Sequence, residues 1–134
     1  MEWKAEYATG IAEIDLQHKT VLEFITEFER AVAEDMHWNT VQPLIVRARE
    51  FLTFHFAVEE SLMQISNYPR FAAHRAEHQY VLNQLVALEN RVLRQEKKNE
   101  LLPLISAWLF DHIIGSDQPF AQHARDSYRE APTA

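Results

Sequence analysis

The chain has no cysteine in its 134 residues, which excludes disulfide bridges, thiolate-held metals and sulfur-ligated iron clusters. Two glycines and five prolines supply little turn material for a fold of many strands, so long helices with short connections are expected. Basic residues are in deficit. Thirteen Lys and Arg against twenty Asp and Glu leave a net charge of −7. A phosphate backbone needs a basic face to neutralise it, so no nucleic acid partner is expected. Long hydrophobic runs are missing as well: Leu101 to Phe110 is about half a membrane span and contains Pro103 and Ser106. No membrane insertion follows. Met1-Glu2-Trp3-Lys4 opens no apolar signal segment, and a cytoplasmic location is the expectation.

What is present is enough apolar material, 47% of the residues, for the core of one domain. Apolar residues recur at helical spacing in four blocks. The first holds Ile14, Val21, Leu22, Ile25, Phe28 and Val32 and ends near Met36 to Trp38. Asn39 or Thr40 is placed to cap the second, with Pro43 in its opening turn and Leu44, Ala48, Leu52, Phe56, Leu62 and Met63 beyond. Asn67-Tyr68-Pro69 breaks it. The third sets Phe71, Leu85 and Val92 in one row and Val81 and Leu88 in another, and dissolves in the polar stretch Arg94 to Glu100. The fourth carries Leu101, Leu104, Ile105, Trp108 and Leu109 and stops around Gly115 to Pro119. Four amphipathic helices with short connections predict an all-α, antiparallel, up-down-up-down four-helix bundle. The single domain would comprise an N-terminal arm over 1–13, packed through Trp3 and Tyr7, a bundle core over 14–118 and a tail over 119–134, frayed at Ala131 to Ala134.

Five of the seven histidines fall where this pattern calls for Leu or Val. His18 precedes Val21 by three; His55 follows Leu52 by three, with Glu59 one turn further; His74 and His78 fill slots between Phe71 and Val81; His112 follows Trp108 by four. Unpaired imidazoles and carboxylates in a bundle core cost several kcal/mol in total, and a metal is the economical compensation. The antiparallel order brings these positions to one end of the bundle. His55/Glu59 and His74/His78, each four apart, project from one helix face. Such nitrogen and oxygen donors suit iron, zinc, copper or manganese, and they are too many for one ion. His112 and Asp117, five apart, are about 140° apart on an ideal helix, so either a π-type bulge near Gly115 realigns them or they reach the metals from two sides. His37 and His123, at or beyond helix ends, read as solvated side chains. Glu60 is rotated off the stripe, at the surface or against a ligand, and Glu77 either orients a histidine ring or is simply exposed.

The order His18, His55-Phe-Ala-Val-Glu59, His74-Arg-Ala-Glu-His78 and His112-Ile-Ile-Gly-Ser-Asp117 resembles the hemerythrins, above all the single-domain bacterial members. Gly10 to Lys19, Glu60, Met63, Tyr68-Pro69 and Trp108-Leu109 extend the likeness, which runs from about Trp3 to Phe120. The resemblance implies two iron ions joined by an oxo or hydroxo bridge. His74, His78 and His112 would saturate one; His18 and His55 would hold the other; Glu59 and Asp117 would bridge both. The open position on the second iron is where the family binds dioxygen reversibly, for carriage, storage or delivery. Phe56, Trp108, Ile113 and Ile114 are the expected apolar lining of that pocket, with no catalytic residue assigned. Dioxygen is the expected partner, a separate protein client could receive it, and a monomer is expected. Two other functions fit the same centre: sensing of oxygen, redox state or nitric oxide through a separate partner, and a di-iron enzyme acting on peroxide or nitric oxide. Oxygenases and ferritins of the carboxylate-rich type need two inward Glu-x-x-His pairs. This chain has one, Glu34 with His37, at the far end of the bundle.

Overall fold

The computed structural model describes residues 2–93 and 98–130. The helices are α1 (Ala12–Ala33), α2 (Trp38–Ile65), α3 (Phe71–Leu93), α4 (Lys98–Asp111) and α5 (Asp117–Glu130); a π-helical segment, His112–Ser116, joins α4 to α5, and a 3-10 turn, Ala5–Tyr7, precedes α1. No strand occurs among the described residues. Among them, no helix is long and apolar enough to cross a membrane.

The path of the chain is antiparallel throughout, as cross-helix contacts show. Phe24 meets Phe51 while Gln17 meets His55. Arg49 pairs with Glu89 while Glu60 meets His78. Tyr80 lies beside Trp108 while His78 meets His112. Each long helix packs against two neighbours, α1 against α2 and α4, and α3 against α2 and α4. The result is the up-down-up-down bundle, filled by Val21, Leu22, Ile25, Phe28, Ile45, Ala48, Leu52, Leu85 and Leu109 among others.

Helix ends explain how so few glycines suffice. After α1, Met36 N–H donates to Ala31 O and Asp35 N–H to Val32 O, with Asp35 at φ 45°. After α2, Tyr68 N–H donates to Met63 O and Asn67 N–H to Gln64 O, with Asn67 at φ 54°. Both are Schellman stops in which Asp or Asn, tolerant of the left-handed region, does glycine's usual job. The stop at Asn67, more than Pro69, ends α2. Gly10 is at φ 81° in the turn into α1. There Asp15 accepts from the Thr9 amide and hydroxyl, and Thr9 Oγ1 accepts from Ile11 N–H. The arm is held by edge-on Trp3–Tyr7 and Tyr7–Phe110 ring contacts and by Gln118, which donates to Tyr7 O.

Five expectations are corrected. The α2 cap is His37, whose Nδ1 accepts from Asn39 N–H, and not Asn39 or Thr40. The earlier start puts Pro43 in the second turn, where it forfeits a hydrogen bond instead of replacing an idle N–H. Leu104 is 67% exposed and Leu102 takes the core position, because α4 is rotated relative to the stripe read from Leu101 and Leu104. The helix does not stop at Gly115 to Pro119: the π segment passes the chain into α5, so positions 119–130 of the expected tail are helical. His123 therefore sits within α5, half-buried, with Nε2 bonded to Ser66 O at 2.7 Å. Positions 94–97 of the polar stretch, the Val92 side chain and the expected frayed end at 131–134 lie outside the described residues.

Candidate metal centre

Seven buried side chains from four helices meet near one end of the bundle. His18 comes from α1, His55 and Glu59 from α2, His74 and His78 from α3, and His112 and Asp117 from the π junction. Each is at most 4% exposed. Their donor atoms fall into two groups within which all lie inside 4.8 Å: Glu59, His74, His78, His112 and Asp117 in one, and His18, His55, Glu59 and Asp117 in the other. Glu59 and Asp117 belong to both. The partition comes from geometry alone.

The Nε2 atoms face inward. Asp117 Oδ2 lies 2.9 Å from His18 Nε2, and its Oδ1 lies 2.9 Å from His74 Nε2 and 3.1 Å from His112 Nε2. Glu59 Oε1 lies 2.6 Å from His55 Nε2, and its Oε2 3.9 Å from His74 Nε2. The π segment produces the alignment of the last two donors. Asp117 N–H donates to His112 O, five residues back, and this wider turn brings both side chains to one face. The bulge, and not an approach from two sides, resolves their spacing. A Cβ at Gly115 would meet nothing within 4 Å, so packing does not demand glycine there.

Burial, with the neighbouring His18 ring adding to it, holds the His55 imidazole down at about 3. Burial, reinforced by His112 and His74, holds His78 at about 2. Both are neutral at pH 7 with lone pairs free to bind a cation. Burial and the neighbouring Asp117 charge push the Glu59 carboxyl well above its usual range. Burial pushes Asp117 the same way, but the His112 charge, with the close approach of the His112, His18 and His74 rings, outweighs it and holds Asp117 well below. Burial likewise opposes charge on His112, yet Asp117 and Glu77 raise it. Both Glu59 oxygens, both Asp117 oxygens and the Nε2 atoms of His18 and His74 are buried without a hydrogen bond of good geometry. Two facing carboxylates ringed by inward lone pairs are costly when empty and well matched to transition-metal cations.

Beyond this ring, Gln17 Oε1 accepts from His55 Nδ1 at 2.7 Å. Glu60 Oε2 is 3.1 Å from His78 Nδ1, and Glu77 Oε2 is 3.1 Å from His112 Nδ1. Glu60 thus bonds the His78 ring, while Glu77, partly exposed, meets His112 in a charge contact without hydrogen-bond geometry. Gln17 carried no signal in the sequence except its place beside His18, since its half-buried position lies off the apolar stripe. Aromatic rings wall the histidines: Phe56 stacks on His78 at 3.9 Å, Trp108 on His112 at 5.0 Å, and Phe51 lies parallel to His55 at 6.3 Å. Phe56 also touches His55. Ile113 is buried, but Ile114 is 39% exposed, because the π segment turns it outward; it does not line a closed pocket. His37 is exposed and distant from the cluster in sequence and fold, at the start of α2.

Residues 9–124 match the model of the hemerythrin HHE cation binding domain. The chain is 32% identical over 124 residues to a bacteriohemerythrin of Stenotrophomonas maltophilia, covering 92% of this chain and 80% of that protein. It is 31% identical over 129 residues to one from Pseudomonas aeruginosa, covering 96% and 84%. A crystal structure of wild-type hemerythrin superposes with a TM-score of 0.82 at 25% identity, over 92% of this chain and 97% of the other. Together with the donor set, these matches fit a non-haem iron site.

Proposed function

The chain belongs to the hemerythrin family, and from that premise we propose that it binds dioxygen reversibly at a carboxylate-bridged pair of non-haem irons. The observation that carries the reading is the unequal partition of the donors. His74, His78, His112, Glu59 and Asp117 offer five to one ion; His18, His55, Glu59 and Asp117 offer four to the other. One shared oxo or hydroxo oxygen raises these to six and five, which leaves a single open position on the His18/His55 side. When bound, such an iron pair supplies the two electrons that dioxygen takes up on binding and returns on release.

The protein's own residues supply the rest. Glu59 and Asp117, common to both donor groups, would hold the two ions together, and the π segment brings Asp117 to the face it shares with His112. Gln17, Glu60 and Glu77 fix ring orientation, so that each Nε2 keeps its lone pair inward. Phe56 and Phe51 shield the His55 side, Trp108 covers His112, and Ile113 beside His112 in sequence is buried. Dry surroundings slow loss of the reduced state to water-assisted oxidation. A histidine-rich donor set also favours binding over substrate oxidation; the single Glu-x-x-His pair, Glu34 and His37, is exposed.

The test is colour and stoichiometry. Iron-loaded protein should contain two irons per chain, bleach when reduced without oxygen and regain oxo-bridge absorption in air over repeated cycles. Colourless protein with fewer than two irons after loading would end the reading, and sustained oxygen consumption with a reductant would turn it toward an enzyme.

A further inference from the structure

The outer nitrogens of the site histidines meet chemically different groups. In the five-donor group, His78 Nδ1 is hydrogen-bonded to the Glu60 carboxylate at 3.1 Å, and His112 Nδ1 lies 3.1 Å from the Glu77 carboxylate in a charge contact without hydrogen-bond geometry. In the four-donor group, His55 Nδ1 is 2.7 Å from the Gln17 amide oxygen, and His18 Nδ1 is buried with no hydrogen-bond partner. No carboxylate contacts the outer nitrogen of either ring among the described residues. With Nε2 committed to a metal, Nδ1 carries the proton and must donate; the Gln17 oxygen is its acceptor. A carboxylate acceptor draws on that proton and makes Nε2 a stronger donor to the metal. A neutral amide fixes the same tautomer and ring orientation with much less of that effect.

We propose that Gln17 is a positioning residue whose neutrality sets the electronic inequality of the two metal positions. It holds His55 in place, as Glu60 and Glu77 hold His78 and His112, but leaves the four-donor position poorer in electron density. Iron there is biased toward its ferrous form, the form that can take up oxygen, while the five-donor position is richer. Because Gln17 immediately precedes His18 on α1, one turn of α1 supplies both a donor and the support for a donor on α2. This inference rests on the two-iron reading above and specifies how that site is poised.

The experiment compares wild type, Gln17→Leu and Gln17→Glu in two measurements. The first titrates metal-free protein with cobalt(II), followed by its visible absorption. Wild type should take two ions; Gln17→Leu should weaken one of them about 10–100-fold and leave the other unchanged; Gln17→Glu should restore it. The second follows iron-loaded protein in a reductive titration and in air. Gln17→Glu should have a lower midpoint potential than wild type and oxidise several-fold faster. Equal potentials in wild type and Gln17→Glu, or equal weakening of both cobalt ions in Gln17→Leu, overturns the proposal. Should Gln17→Leu fail to fold, the potential of Gln17→Glu decides alone. Wild type that takes fewer than two cobalt ions overturns the two-metal reading itself and this proposal with it. Two cobalt ions with no reversible oxygen uptake by the iron form removes only the oxygen reading.

Discussion

Glu59 is fully buried, neither oxygen has a hydrogen bond, and it faces a second carboxylate, Asp117. Without metal it is a liability to the fold; in the proposed two-iron site it would be a shared donor. Gln at this position keeps the shape and cannot ionise. Folding obliges Glu59 to keep a proton that the unfolded chain releases at pH 7, so Glu59→Gln should stabilise the metal-free protein at that pH, while reducing the metal bound. Thermal melts of both metal-free proteins at pH 7, with metal analysis after loading, check the pair of effects. A variant less stable than wild type without metal would contradict the account. The same logic separates His55 from Leu52 on one stripe: each is buried, but only the histidine has a reason to be there that packing does not supply.

At the scale of elements, the stops of α1 and α2 put Asp35 and Asn67 in a conformation that costs a residue with a Cβ about 1–2 kcal/mol. Asn67→Gly should preserve or raise stability, and Asn67→Ala should lower it by about 1 kcal/mol, read from urea midpoints. The π segment is a different case. Its defining bond, Asp117 N–H to His112 O, does not depend on glycine, since a Cβ at Gly115 meets no atom. Gly115→Ala should leave metal content unchanged and gain up to about 1 kcal/mol from the reduced freedom of the unfolded chain. Loss of metal in this variant would show that the bulge needs glycine after all.

For the whole molecule, protons decide how stable the metal-free bundle is. His55 and His78, depressed to about 3 and about 2, stay neutral in the folded state while the unfolded chain protonates both below about pH 6.5. Glu59, raised, works the other way and retains one proton in the folded state above its ordinary range. The two histidines therefore make stability fall as pH drops below about 6.5, and Glu59 offsets part of that fall. Asp117, depressed, adds to the fall below its ordinary range. His112, raised, contributes stability that is complete below its ordinary range and lost as pH rises through its folded value. Melting temperature of the metal-free protein, measured from pH 4 to 9, should pass through a maximum near pH 6.5. Metal should raise the melting temperature and should itself be lost in acid, because protons compete for the ring nitrogens.

How much of this was legible in one dimension follows from what kind of property each feature is. Periodicity is local, so it located His18, His55, His74, His78 and His112 on buried stripes, and helix order with short connections brought them to one end. Glu59 followed as the i+4 neighbour of His55. Asp117 did not, because a five-residue spacing is meaningful only once the backbone chooses a π turn, and that choice depends on what the neighbouring helices hold in place. Leu104 and Ile114 looked interior by composition and face solvent, since the rotation of a helix about its axis is set by packing against its partners. Gln17 could not be assigned at all: its role exists only because α1 lies against α2 at the height of His55. The sequence by itself determined the fold class and the clustering of donors, because both rest on burial patterns that repeat along the chain. The tertiary structure alone decided that a π turn brings His112 and Asp117 to one face and which ring rests on an amide in place of a carboxylate, because these depend on the register between helices far apart in sequence.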